Sequence, residues 1–254
     1  MSSDRIHLWV AYPDDLMDEA TAQNCGRLLN EEERARLERF KFERHRREHL
    51  ATRALERTAL SAYAEVAPED WRFEAGEHGK PSTVQAPGLT FNLSNSLGLV
   101  VCAVSHGVEI GVDVEPYTRA KTIEEVAERF FSARELEQLE PLRGEARLER
   151  GLTLWTLKEA YMKARGMGMA LPTKLFSFVF EGDGGMRLEI DAEAGDGPER
   201  WQFCVLNYGG DHAGHRIALM VESQGAVELE VWETRPILAA PSRVEAGEVR
   251  WFGR

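Results

Sequence analysis

Two short stretches of this chain, GVDVE at Gly111–Glu115 and WTLKEAYMK at Trp155–Lys163, lie about forty residues apart. In the first, two carboxylates alternate with valines, so a strand would place both acids on one face. In the second, spacings of three and four residues place Trp155, Glu159 and Lys163 along one side of a helix. The pattern therefore predicts an acidic strand face and a helix side that bears both acidic and ammonium groups.

If this strand and this helix meet, three carboxylates and two ammonium groups come together. They are Asp113, Glu115, Glu159, Lys158 and Lys163. Magnesium favours oxygen ligands and is commonly held by a few carboxylates together with substrate phosphates. Metal and lysines would offset charge on a pyrophosphate as one of its phosphorus–oxygen bonds breaks. Taken singly, the first motif also fits a solvated strand face and the second a surface ion pair, so the conjunction carries the prediction.

The two motifs, Gly-x-Asp-x-Glu and Trp-x-x-Lys-Glu-Ala-x-x-Lys, resemble the signature of the 4′-phosphopantetheinyl transferases, specifically the long, monomeric, surfactin-synthetase type. Further segments follow in the family's order: RFKF at 39–42, HGKP at 78–81, FNLS at 91–94 and GMG at 166–168. The resemblance spans about residues 5 to 180, and an ordered series of motifs is more specific than a single loop pattern.

The resemblance implies a holo-carrier-protein synthase that moves the 4′-phosphopantetheine group of coenzyme A to a serine of an apo carrier protein (acyl, peptidyl or polyketide), releasing 3′,5′-ADP. By motif position, Asp113, Glu115 and Glu159 would hold Mg²⁺ against the pyrophosphate. Glu159, or a water that it orients, would accept the serine proton. Lys163 would stabilise or protonate the departing phosphate, with Lys158 shaping the same charge field. Trp155 is expected to be a packing residue rather than a catalytic one.

Coenzyme A contacts are expected in a basic segment. Residues 34–53 carry eight Lys or Arg against three Glu, in a chain of net charge −12. The alternative for this segment is a solvated helix with internal Glu–Arg pairs. The resemblance makes Arg47 and Arg53, then Lys41, the expected contacts, and places the turn of Lys80 beside the adenine and the 3′-phosphate.

Ser94 and Asn95 complete the expected coenzyme A contacts. Asn95 stands where the family often has a histidine that touches the nucleotide phosphates. An asparagine donates hydrogen bonds but carries no charge. Affinity for coenzyme A is therefore expected to depend more on Arg47, Arg53 and Lys80.

Hydrophobic patterning predicts an α+β fold in which each half places helices before antiparallel strands. Strands are predicted over 5–11, 71–73, 89–93, 99–105, 109–115, 176–180, 186–190, 201–207 and 216–222, and helices over 31–63 (N-capped by Asn30, broken near Phe42), 122–129, 133–140 and 147–165. The resemblance implies two similar halves related by pseudo-twofold symmetry, with the active site in the cleft between them. The expected units are 1–116 with the basic helix, 117–225 with the second motif, and a tail, 226–254, that packs loosely or extends away.

Composition limits the function classes. Of 254 residues, 43% are hydrophobic and 29% charged, as in soluble globular proteins, and no stretch approaches the roughly 20 apolar residues of a membrane helix. We expect a cytoplasmic protein without membrane or nucleic-acid binding, since a net charge of −12 opposes contact with polyanions. Three distant cysteines are expected to be reduced packing residues, and His45 and His49 one face of a helix rather than a zinc site. A monomer with pseudo-dimeric halves follows from the resemblance.

Carrier recognition is expected in the segment from Ile123 to Leu139, between the two motifs, where the family docks its carrier. Phe130 and Phe131 in this segment fit either a docking surface or the core. Two other functions stay open: a non-catalytic relative that binds coenzyme A or a carrier, and a Mg²⁺-dependent pyrophosphohydrolase. The first would lack a carboxylate or Lys163, and the second would use water instead of a protein serine.

Overall fold

The computed structural model describes residues 4–16, 18–209, 214–236, 240–245 and 249–253. The N-terminal part contains, in chain order, β1 (Asp4–Ala11), α1 (Glu19–Arg27), α2 (Glu31–Arg39), α3 (Glu43–Leu60), β2 (Phe73–Ala75), β3 (Pro81–Thr83), β4 (Leu89–Ser96) and β5 (Leu99–His106). The C-terminal part contains β6 (Ile110–Pro116), α4 (Ala120–Phe130), α5 (Ala133–Leu139), α6 (Gly144–Arg165), β7 (Phe176–Phe180), β8 (Met186–Ile190), β9 (Trp201–Tyr208), β10 (His215–Glu222), β11 (Val227–Glu233) and β12 (Ser242–Val244).

The same arrangement of strands and helix occurs twice. β1, β5 and β4 lie side by side as antiparallel neighbours, and β6, β10 and β9 repeat that order in a second sheet. In each case one strand is followed by a long helix, α3 or α6, and then by a hairpin. The predicted α+β fold of two similar halves is therefore confirmed.

The two sheets face each other between the two long helices. Leu8 of β1 and Val112 of β6 are buried together in the layer between the sheets. Because side chains alternate along a strand, Trp9 points the other way and packs with Leu55 of α3. In the second sheet, Ala218 of β10 likewise packs with α6. The layer order is thus α3, first sheet, second sheet, α6.

The halves are joined where β4 meets β6. Here β4 uses side chains instead of its backbone: Val112 N donates to Asn92 Oδ1 at 2.9 Å, and Val114 N donates to Ser94 Oγ at 3.3 Å. These contacts satisfy amide groups of β6 that its ladder with β10 leaves free. The boundary expected after residue 116 stays a prediction, although β6 pairs with a strand of the C-terminal half.

The expectation that the chain after Gly225 packs loosely or extends away is wrong for Val227–Glu233. This segment is β11, which pairs in parallel with β1 from Asp4↔Val227 to Val10↔Glu233. Its tryptophan, Trp232, stacks on Trp9 with ring centroids 6.1 Å apart. The signal was the alternation of apolar and acidic residues in VELEVWE, which suits a strand, and the free edge of β1 supplies its partner.

Smaller differences have local causes. β2 begins at Phe73 rather than Trp71, because the buried Trp71 indole packs inward and donates to Ser61 Oγ at 2.8 Å. The predicted N-cap of α2 is confirmed: Asn30 and Glu33 form a reciprocal capping box. The cysteines, Cys25, Cys102 and Cys204, are buried and unpaired. Within the described ranges, every helix is too short or too polar to cross a bilayer.

Gly111 determines how closely β6 and α6 approach each other. A Cβ atom at this position would lie 2.1 Å from the Ala160 carbonyl oxygen and 2.4 Å from the Ala164 amide nitrogen. Both atoms belong to the backbone of α6, so neither can move away as a flexible side chain could. Only glycine fits here. Asp113 and Glu115 follow on the same face of the strand and are thereby held close to the helix.

We expect Gly111→Ala to lower the free energy of unfolding by at least about 1–3 kcal/mol, because the added methyl group must push α6 away from β6. Urea unfolding followed by circular dichroism measures this. Gly151→Ala is the matched control, since it lies in α6 with nothing within 4 Å of its would-be Cβ, and it should be neutral or stabilising by up to about 1 kcal/mol. Wild-type stability of Gly111→Ala would contradict the close contact.

Candidate active site

Asp113 and Lys163 form the centre of the candidate site, where the β6 face meets α6. Lys163 Nζ donates to Asp113 Oδ1 at 2.7 Å and to Ser94 Oγ at 2.8 Å. The Ser94 hydroxyl donates in turn to Asp113 Oδ1 at 2.9 Å. The second carboxylate oxygen, Asp113 Oδ2, is buried and has no hydrogen-bond partner among the described residues. This oxygen is therefore available to a ligand.

Glu115 lies one pleat further along the same strand face. Ser96 Oγ donates to its Oε2 at 3.0 Å, and Trp155 Nε1 donates to its Oε1 at 3.1 Å. Arg119 also donates to Oε1, at 2.5 Å. Trp155 packs edge-on against Phe130, as expected of a packing residue, and in addition orients this carboxylate.

Glu159 faces the same two acids from α6. Burial and then the negative charge of Asp113 raise its pKa to about 7, while Lys163 opposes the shift. The pKa of Glu115 is raised as well, first by burial and then by Asp113. Such mutual effects require proximity, so the structure brings Asp113, Glu115, Glu159 and Lys163 together as the sequence pattern suggested.

This donor set fits a divalent cation. Three carboxylates supply the hard oxygen donors that magnesium prefers. One of their oxygens is buried without a partner among the described residues, and burial, then the charge of Asp113, raises the pKa of Glu115 and Glu159. Across the residues that the structure describes, no three acidic, His or Cys side chains are already arranged around a common metal position. Lys163 and Arg119 form ion pairs with Asp113 and Glu115 in this arrangement.

The expectation that Lys158 shares this site is wrong. Its ammonium group is buried on another side of α6, where it donates to Glu135 Oε2 at 2.7 Å and to the Phe176 carbonyl oxygen at 2.8 Å. Adjacent helix residues differ by about 100° in direction, so Lys158 and Glu159 point to different surroundings. Burial lowers the pKa of Lys158, and Glu135 acts in the opposite direction. Lys158 therefore joins α6 to α5 and β7.

Two cavities share Arg53 in their linings, and Lys163 lines the first of them. One, of about 290 Å³, is lined by Arg53, Lys163, Met162, Leu93 and the turn from His78 to Pro81, among others. The other, of about 270 Å³, is lined by Arg36, Phe40, His45, Glu48, His49, Thr52, Arg53 and Asn95. Arg53 lines both, so together they form a path from Lys163, which is bonded to Asp113, to a basic pocket on α2 and α3.

Buried carboxylates hold Arg53 in this position. Its guanidinium donates to Glu56 Oε2 at 2.8 Å and lies 3.9 Å from Glu33 Oε1. Burial raises the pKa of Glu56 to about 7, although Arg53 and Arg57 favour its charged form. Glu56 is fully buried, so its hydrogen bond holds the Arg53 guanidinium in place on the protein side. The same side chain lines both cavities.

Lys80 lines the first cavity, but its ammonium group is engaged elsewhere. It donates to Glu109 Oε2 at 2.6 Å and to the carbonyl oxygens of Ala164 and Ile110 at 2.8 and 3.1 Å. An ammonium has three N–H donors, and these contacts use all of them. Lys80 thus links the 76–81 turn to the C-terminal end of α6 and to β6, and a contact with a nucleotide phosphate would require it to leave these partners.

The structure places Arg47 and Lys41 away from the cavities. Arg47 forms ion pairs with Asp14 and Glu43, each at 3.7 Å, and Lys41 is exposed at the turn before α3. Neither is among the residues that line the two cavities in the described part of the chain. Arg53, the other expected arginine, lies nearly two helical turns further along α3 and lines both cavities, whereas contact through Arg47 and Lys41 stays a prediction.

Several residues of the site were not predicted. They are Ser96, Arg119, Glu56 and the basic-pocket residues Arg36, His45 and His49. Ser96 had a signal, since it continues the alternation from Ser94 on β4. Arg119 had none, because it lies in a short turn (Tyr117–Arg119) where helical spacing does not apply. The sequence predicts that His45 and His49 share one helix face. Only the packing of α2 against α3 shows that this face borders a cavity.

The two phenylalanines of the expected carrier segment differ. Phe131 is fully buried in the core of the C-terminal half. Phe130 is partly buried, packs on Trp155 and carries the Arg129 guanidinium over its ring at 5.2 Å. Phe131 is thus a core residue, whereas carrier docking along this segment stays a prediction.

Comparison with known proteins gives matches across both halves. The model of the 4′-phosphopantetheinyl transferase superfamily matches residues 109–220, and that of the N-terminal part of 4′-phosphopantetheinyl transferases matches residues 18–107. A solved holo-(acyl-carrier-protein) synthase from Bacillus anthracis, in complex with CoA (3′,5′-ADP), aligns with 45% of this chain and 95% of its own at a TM-score of 0.38 and 19% identity.

Curated relatives agree in family. The 4′-phosphopantetheinyl transferase HetI of Nostoc sp. is 39% identical over 171 residues, which cover 66% of this chain and 71% of that protein. The transferase Sfp of Bacillus subtilis is 29% identical over 186 residues, covering 73% and 81% of the two chains, and psf-1 of Bacillus pumilus is 31% identical over 198 residues, covering 78% and 80%. The resemblance found in the motifs is confirmed over most of the chain, which belongs to the 4′-phosphopantetheinyl transferase superfamily, of the Sfp-like type.

Proposed function

We propose that this protein transfers the 4′-phosphopantetheine group from coenzyme A to a serine hydroxyl of an apo carrier protein, releases 3′,5′-ADP and requires Mg²⁺. The family and its named relatives support the group transfer. One observation carries the proposal for the chemistry. Asp113, Glu115 and Glu159 lie beside Lys163, and Lys163 lines one end of a path whose other end is a basic pocket.

Coenzyme A would lie along this path. Its 3′-phosphate suits the basic pocket, where Arg36, His49 and Asn95 surround Arg53 and supply charge and hydrogen-bond donors. Its pyrophosphate would then reach Lys163 and the carboxylates, past the largely apolar cavity bordered by Met162 and Leu93. Asn95 takes part without charge, so affinity depends mainly on the arginines.

Magnesium held by Asp113, Glu115 and Glu159 would, when bound, offset the negative charge that builds on the pyrophosphate. The chain's own residues do the rest. Ser94 and Lys163 orient Asp113, and Trp155 and Ser96 orient Glu115.

The proton of the attacking serine needs a base within hydrogen-bond reach, and Glu159 is the candidate because its pKa, raised to about 7, is matched to neutral pH. The serine oxygen bonds to the β-phosphorus, the bond from that phosphorus to the bridging oxygen breaks, and the leaving oxygen departs with 3′,5′-ADP. Lys163 can donate to that oxygen from its place beside Asp113.

The carrier would approach along α4 and α5, over residues 123–139, where Phe130 borders Trp155.

We further propose a cytoplasmic monomer, consistent with three reduced cysteines and with two halves that duplicate one arrangement within a single chain. Size-exclusion chromatography with light scattering tests the monomer.

The direct test is product mass. Incubation of the protein with coenzyme A, Mg²⁺ and an apo carrier should add a phosphopantetheine mass to the carrier. Free phosphopantetheine with an unmodified carrier would indicate a pyrophosphohydrolase, and neither product would indicate a binding protein.

We expect Asp113→Asn and Glu159→Gln to lower kcat/KM at least about 100-fold. Glu189→Gln on β8 is the control, since its partner is Arg187, and it should retain wild-type transfer.

Arg53→Ala should raise KM for coenzyme A about tenfold with little change in kcat, because the guanidinium binds the ground state and the transition state alike. Steady-state kinetics at varied coenzyme A measure both constants. Arg47→Ala removes an equal charge from the same helix but from outside both cavities, so its KM should be unchanged. If Arg47→Ala had the larger effect, the assignment of Arg53 would be reversed.

Glu159 should also affect stability as a function of pH. Its folded pKa of about 7 lies above the ordinary value of 4.5, so the folded metal-free protein binds more protons than the unfolded chain between these values. Stability must therefore fall as pH rises through this window, by up to about 3 kcal/mol. Glu159→Gln should flatten the fall of the urea midpoint between pH 5 and 8, with a residual slope from Glu115 and Glu56. An unchanged slope would contradict the burial of charge at Glu159.

A further inference from the structure

Glu115 differs from Asp113 in how far its carboxylate is already engaged. Both oxygens of Glu115 accept hydrogen bonds: Oε2 from Ser96, and Oε1 from Trp155 and Arg119. Asp113 keeps one oxygen without a partner among the described residues. A cation that enters the site would therefore meet an unpartnered oxygen on Asp113, whereas both oxygens of Glu115 already accept hydrogen bonds.

Among the donors to Glu115, Arg119 alone is charged, and its side chain is partly exposed to solvent. Its side chain is 39% exposed, against 6% for Glu115. It extends from the short turn between β6 and α4. The carboxylate is fixed on the strand and buried, whereas the guanidinium can extend into water. Because a buried carboxylate without a counter-charge is unfavourable, Arg119 leaves Glu115 only when another cation takes its place.

The charge balance points the same way. Asp113, Glu115 and Glu159 carry three negative charges when ionised, and Lys163 supplies one positive charge. Arg119 is a second cation, and it occupies Oε1 of Glu115. A divalent ion on the same carboxylate would repel the guanidinium, so metal and arginine are alternatives at Glu115.

We propose that Arg119 is a displaceable counter-cation: it holds Glu115 in the metal-free protein and leaves the carboxylate when the divalent ion binds. The inference rests on the proposed function, because it concerns the metal of that same site. Trp155 and Ser96, which are neutral donors, keep Glu115 oriented after Arg119 has left. Arg119 is therefore a positioning residue that sets the concentration of Mg²⁺ at which the site fills.

The test uses the full chain with saturating coenzyme A and no carrier, so that no group transfer takes place. The thermal unfolding midpoint is followed as Mg²⁺ is added, and the half-saturating concentration is read from the rise. Arg119→Ala should lower that concentration about two- to fivefold, the factor that corresponds to a partly exposed ion pair. Arg119→Lys, which keeps the charge but loses the planar fork, should give a smaller decrease.

Lys121→Ala is the control, since it removes one positive charge from an exposed position two residues away, and it should leave the Mg²⁺ response unchanged. An Arg119→Ala response equal to or weaker than that of the wild type overturns the inference, as does an equal shift in Lys121→Ala, which would reveal only a general charge effect. A wild-type protein without any Mg²⁺ response overturns the metal requirement of the proposed function as well. The two failures are thus distinguishable.

Discussion

The contact between β6 and α6 at Gly111 is the constraint on which the site depends. A strand and a helix normally keep side chains between their backbones, but here the would-be Cβ of Gly111 overlaps main-chain atoms of Ala160 and Ala164. Asp113 and Glu115 follow at two-residue intervals on the same strand face, and Glu159 and Lys163 lie on the helix opposite. The short spacing of the backbones therefore places acidic groups from both elements within reach of one another.

Placing three carboxylates together is unfavourable unless other groups balance them. The protein supplies cations and neutral donors from several elements: Lys163 from α6, Arg119 from the turn after β6, and Ser94 and Ser96 from β4. Even so, burial and then the negative charge of Asp113 raise the pKa of Glu159. Stability is given up at this point of the molecule, as is common where binding or catalysis needs charge.

Local pattern was enough to predict most of the elements and the acidic centre, because alternation along β6 and helical spacing along α6 determine which side chains share a face. It was not enough for partners that depend on packing between distant segments. Lys158 has the same sequence context as Glu159, and only the position of Glu135 on α5 shows that it is structural. Arg47 and Arg53 are equivalent in composition, and the fold separates them, since Glu56 and the cavity lie on the side of Arg53. The strand β11 was overlooked because the composition of the segment after Gly225 outweighed its alternation.

The parallel pairing of β1 with β11 has a consequence for synthesis of the chain. Asp4 and Val227 are neighbours in the sheet although 223 positions separate them along the chain. While the ribosome is still translating the C-terminal half, one edge of β1 has no strand to pair with, and the indole of Trp9 lacks the ring that later stacks on it. Nascent chains with such open edges are prone to mispairing. The N-terminal sheet is therefore completed only after β11 has been synthesised, and a chain that ends before β11 will leave this edge of β1 open.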